Sequence, residues 1–104
     1  MIYNLVTALV VPGKMSEYNE IHEKKMMPLF PKLGMKLVGT FHSYTGNMNE
    51  VYHLFVYNDL TARQKSQDSA KKSKDYQIEA AKLSALTTSQ TFTLLEPNPW
   101  SPMK

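Results

Sequence analysis

A ferredoxin-like α+β fold, ordered βαββαβ, is what this sequence predicts, and three observations carry the prediction. Runs rich in β-branched and aromatic residues occur at residues 2–11, on either side of Gly46–Asn49, and at residues 87–96. Between them lie two segments of helical character, one from Lys14 and one from Leu60. The chain has 104 residues and no cysteine, enough for one core without covalent staples. The compact solution is one domain over residues 1–104: an antiparallel four-stranded sheet with both helices on one face.

Each element has a local reason. Residues 2–11, IYNLVTALVV, are apolar on both parities, as in a strand covered on both faces, and Pro12-Gly13 closes the run. From Lys14, Met15, Tyr18, Ile21 or His22, Met26 and Leu29 recur at spacings of three and four, and Ser16, Glu17 and Glu20 place acceptors and negative charge near the helix start. Pro28 and Pro31 lack a backbone donor, so the regular helix should stop or kink near Met26 or Met27, with a short turn to Leu33-Gly34. The second helix begins at Leu60 behind an N-cap at Asn58 or Asp59. It is polar over residues 61–74 and broken, with Asp75 capping a further stretch that buries Tyr76, Ile78 or Glu79, Ala80 and Leu83. Residues 87–96 read as the last strand, and the proline-rich residues 97–104 as an extended tail.

A sheet with helices on one face leaves the other bare. The doubly apolar first strand implies a cover for it, and a second copy of the same sheet supplies one, giving a dimeric α+β barrel. In the hairpin Met35–Asp59, positions summing to 95 pair if the loop has two or four residues, so His42 faces His53 and Thr40 faces Phe55. One face then carries Met35, Leu37, Gly39, Phe41, Tyr52, Leu54 and Val56 and belongs against the helices. The other carries Val38, Thr40, His42, Tyr44, Val51, His53, Phe55 and Tyr57, and belongs inside the barrel.

A wall of aromatic bodies with hydrogen-bonding tips suits a flat, partly polar small molecule. The expected ligand-binding residues are Asn4, His42, Tyr44, His53, Phe55 and Tyr57, and the candidates for proton transfer are His53, His42 and Tyr57. Equally, paired His and Tyr side chains can bond one another across a dimer seam and serve structure alone. His42 and His53 lack a third ligand, so no metal is assigned, and no motif calls for a cofactor. His22 reads as a boundary residue of the first helix.

The net charge of +3 does not point to nucleic acid. Most lysines alternate with carboxylates, only Lys71, Lys72 and Lys74 cluster, and Arg63 is the single arginine. No apolar run is long enough to span a bilayer and no signal-like segment opens the chain, so a cytoplasmic homodimer, or an oligomer of such dimers, is expected. Trp100, held among prolines, is a candidate anchor on a neighbouring chain.

The sequence resembles the NIPSNAP family. The resemblance is carried by Met1-Ile2-Tyr3-x-Leu5, Pro12-Gly13-Lys14 with Tyr18, and Leu33-Gly34. It continues through Gly46-x-x-Asn49-Glu50-Val51-x-His53-Leu54-Phe55-x-Tyr57-x-Asp59-Leu60, Arg63, Ser89-Gln90 and Pro97-x-Pro99-Trp100-Ser101-Pro102. It implies a dimeric α+β barrel. Animal members are associated with vesicle transport or mitochondrial roles, and bacterial single-domain members mostly lack an assigned activity. Small monooxygenases, haem-degrading enzymes and isomerases share the fold, which is analogy alone. Many members carry an arginine where this chain has Val6, so any anion contact made by that arginine is lost here.

Overall fold

Alternation of buried and less buried residues along the two central strands fixes where the sheet lies. In a computed structural model describing all 104 residues, β1 (Ile2–Val10), β2 (Lys36–His42), β3 (Glu50–Tyr57) and β4 (Thr87–Leu95) form one antiparallel sheet in the order β2-β3-β1-β4. Helical segments α1 (Met15–Ile21), α2 (Met27–Lys32), α3 (Leu60–Lys72) and α4 (Lys74–Ala85) cover one face. This is the expected ferredoxin-like arrangement. The core joins Val6, Ala8 and Val10 of β1 and Val51, Phe55 and Tyr57 of β3 to Tyr18, Met26, Phe30, Ala70 and Leu83 of the helices.

The regular α-helix is interrupted beside Met26 and Met27, where a stop or kink is expected, but the run does not end there. It stays helical to Lys32 through a π-helical turn at His22–Met26, in which the Met27 N–H bonds the His22 carbonyl. In a regular α turn the Pro28 ring would press on the carbonyl one turn earlier. The wider turn gives that carbonyl room, and Pro28 then sits in the first turn of α2, where its missing N–H is least costly. In the second helical region, the Asp59 carboxylate accepts from the Ala62 N–H at 2.8 Å, as expected of that cap. The break is capped by Ser73, not Asp75: the Ser73 Oγ accepts from the Tyr76 N–H at 3.2 Å, and Asp75 lies inside the first turn of α4.

The hairpin departs from expectation in two ways. His42 pairs with Val51 and Thr40 with His53, a register two residues from the expected one. β2 ends at His42, and residues 43–49 form a longer loop tied by Ser43 N–H to the Glu50 carbonyl at 3.1 Å, with Gly46 at a φ of 81°. A slip of two preserves parity, so from Gly39 onward the same residues still share faces. What reverses is the face that meets the helices. Val51, His53, Phe55 and Tyr57 are buried beneath them, whereas Phe41 is 59% exposed on the opposite face, beside half-buried Tyr52 and Leu54. The expectation that the histidine-bearing face is the one left for a partner sheet is therefore overturned.

The physical reason lies in the helix layer, which is not purely apolar. It supplies Tyr18 to hydrogen-bond His53 and Phe30 to meet Phe55 edge-on, with centroids 5.2 Å apart. A β-bulge between Leu37 and Gly39 also brings Leu37 opposite Phe55, so Leu37 and the buried Met35 do join the helix side as expected.

Candidate functional site

Between sheet and helices lies a chamber of about 410 Å³. Its floor is Asn4 and Val6 of β1, His53, Phe55 and Tyr57 of β3, and Gln90 and Phe92 of β4. Tyr18, His22, Met26 and Phe30 roof one end, and Lys71, Tyr76 and Leu83 of α3 and α4 line the other. Side chains reach this space because even positions of β1 and β4 and odd positions of β3 share a face, as the pairings Val6 with His53 and Val6 with Phe92 require.

At the roofed end, His53 bridges two hydroxyls. Its Nε2 is 2.8 Å from the Tyr18 hydroxyl and its Nδ1 is 2.8 Å from the Thr40 hydroxyl. A phenol is the stronger donor, so we assign Tyr18 O–H donating to Nε2 and Nδ1–H donating to Thr40 Oγ1. The His22 ring lies 4.6 Å from the His53 ring and 4.7 Å from that of Tyr18. Burial lowers the pKa of His53 to about 4, and burial together with the neighbouring His53 lowers that of His22 to about 4. Burial raises Tyr18 to about 12. All three groups are neutral at neutral pH and act there as hydrogen-bonding groups rather than charges.

Tyr57 lies towards the other end. Burial raises its pKa, which the nearby Arg63 guanidinium opposes and Tyr76 reinforces; burial raises Tyr76 as well. On the floor, Asn4 is 6% exposed and its Oδ1 has no hydrogen-bond partner. Such an orphaned acceptor costs about 1–3 kcal/mol unless a ligand or an ordered water donates to it.

Of the six residues expected to contact a ligand, the fold brings together Asn4, His53, Phe55 and Tyr57. His42 and Tyr44 do not reach the chamber. His42 is exposed at the end of β2, and Tyr44 is 95% exposed in the loop beyond it. Tyr18 and His22 are the residues that sequence reasoning missed as site components. Their four-residue spacing on the apolar helical face was the available signal, since i and i+4 project together. No three His, Cys, Asp or Glu side chains are grouped to hold a metal ion, and no helix is long and apolar enough to cross a membrane.

The NIPSNAP family profile matches residues 3–102. A NIPSNAP family protein of Agrobacterium tumefaciens has the same fold, with a TM-score of 0.93 at 23% identity, covering 99% of this chain and 98% of that one. An uncharacterised NIPSNAP domain protein of Burkholderia xenovorans matches at a TM-score of 0.91 and 19% identity, covering 98% and 99% of the two chains. A candidate antibiotic biosynthesis monooxygenase of Nitrosomonas europaea is more distant, at a TM-score of 0.72 and 11% identity over 93% of this chain and 98% of that one. None of the curated proteins matches the sequence.

Proposed function

We propose that this chain, which belongs to the NIPSNAP family, is a small-molecule-binding protein whose chamber between sheet and helices takes a flat molecule with an apolar body and a hydrogen-bonding edge. The observation that supports this best is the unpartnered Asn4 Oδ1 on the floor of that cavity. A well-packed core would have covered the amide with a donor or replaced it. Phe30 and Phe55 offer aromatic surface to the body of the ligand, while Tyr18, His22 and His53 offer its edge both donors and acceptors. The open face of the sheet, with Leu5, Tyr52, Leu54 and exposed Phe41, is taken to meet a second copy of the chain in the cytoplasm.

Titration with 1-naphthol, followed by amide NMR shifts and by the rise in melting temperature, tests the chamber reading. Shifts should centre on Asn4, His53 and Phe55, and Val6→Phe, which fills the floor, should abolish them while the protein stays folded. A wild-type protein that shows no shift at millimolar probe, or shifts confined to the exposed loop, would end it.

The contact of His53 with two hydroxyls at 2.8 Å favours one second reading, proton transfer on the bound molecule in a cofactor-independent oxygenation or isomerisation. The likeness to the Nitrosomonas protein bears on this only through the shared fold. An imidazole with its pKa lowered to about 4 is a weak base, so a quinol hydroxyl gives up its proton to it only as electrons leave the ring for oxygen, which narrows the substrates to oxidisable ones. Oxygen uptake with naphthohydroquinone should exceed the uncatalysed rate and fall at least tenfold in His53→Gln; equal rates would remove catalysis and leave binding standing.

A further inference from the structure

The lining of the chamber is one-sided in charge. Among the 21 residues that form it there is no aspartate or glutamate, although the chain has nine. At neutral pH a single lining side chain is charged, and it is a cation, Lys71. Lys71 makes no salt bridge: the lysines that do are Lys14, Lys24 and Lys82. Its residue is exposed, as are Gln77, Ser84, Gln90 and Phe92 of the same lining, so this side of α3, α4 and β4 is where the chamber opens to water. The fold has thus set one member of the Lys71, Lys72 and Lys74 cluster at the mouth of the cavity.

A second cation acts on the same end. The Arg63 guanidinium lowers the pKa of Tyr57 from its burial-raised value, and its Nε is buried without a partner. The buried carboxylate of α4, Glu79, lies outside the lining; its Oε1 accepts from Lys82 at 3.1 Å and its Oε2 has no partner. Two positive groups with no carboxylate in the walls favour an anion and disfavour a cation in a partly enclosed site.

Resting on the chamber reading above, we propose that the natural ligand is an aromatic acid, bound with its ring system packed against the Phe30 and Phe55 pair and its carboxylate at the mouth beside Lys71. Val6 lies on the floor beside His53 and carries no charge, so Lys71 at the rim is the lining cation left to hold the acid group.

The test compares 2-naphthoate with 2-naphthamide, two probes of the same shape that differ in charge, by calorimetry on the full chain. Wild type should bind the acid at least about tenfold tighter than the amide. Lys71→Met should weaken the acid about threefold to tenfold and leave the amide unchanged, the modest size reflecting an exposed, screened charge. Lys72→Met, which removes the same charge from outside the lining, should change neither. An amide that binds as well as the acid, or an equal loss in both lysine variants, overturns the acid assignment while leaving a neutral-ligand chamber. Failure of both probes overturns the chamber with it. Both lysines are exposed, so unchanged melting temperatures will show that the variants are folded.

Discussion

Two hydroxyls depend on one ring at His53, and the energetics of the site follow from that. Removing the Tyr18 hydroxyl leaves the buried Nε2 without its 2.8 Å donor, so Tyr18→Phe should destabilise the fold by about 1–3 kcal/mol in urea unfolding. An effect within error would show that water takes the phenol's place. The imidazoles also make stability depend on pH. Their folded pKa values are depressed to about 4 from 6.5, so as pH falls the unfolded chain takes up protons first. The contribution is complete above about pH 6.5 and is lost as pH falls towards about 4, by at most about 3 kcal/mol per imidazole. A double variant His22→Phe, His53→Phe should flatten urea midpoints across that window. A slope as steep as wild type would place the titration elsewhere. His53, Phe55 and Tyr57 were legible as a group because strand parity places them on one face, although that face meets the helices and not a partner sheet. Tyr18 and His22 were not, because an apolar helical face reads as core whether or not some of its members are polar.

Among the elements, strands were easier to read than helix ends. Alternation and β-branched content located β1 and β4 to within a residue, but the π turn left no mark beyond two prolines that ordinarily end a helix. The hairpin register failed for a related reason: it depends on loop length, which Gly46 and Asn49 bracket only loosely. Caps are local and were read better. Asp59 is the side chain that starts α3, a helix with few large apolar residues to hold it down, so loss of its bond to the Ala62 N–H should be felt. Asp59→Ala should cost about 1 kcal/mol and speed hydrogen exchange along α3 more than along α4. Equal acceleration in both helices would mean that they open as one unit.

At the scale of the molecule, the sheet is covered on one side only. Tyr3 and Val56 on the open face are shielded by their neighbours, but Phe41 and Leu95 are 59% and 41% exposed, and Leu5, Leu9, Tyr52 and Leu54 form an apolar band between them. An isolated domain rarely leaves so continuous a band in water. Counting layers in the sequence leads to the same bare face, even though it misassigned which hairpin residues occupy it, because an element count does not depend on register. Trp100, 81% exposed in the tail, is the competing anchor. The two contributions separate in sedimentation. Leu54→Asp puts a charge at the centre of the band on β3, where it costs the folded chain little because the side chain is half-buried, and should convert a dimer to a monomer. Deletion of residues 97–104 should leave the mass unchanged if the sheets meet face to face. A deletion variant that sediments as a monomer while Leu54→Asp stays dimeric would instead assign assembly to the tail and leave the open face for a different partner.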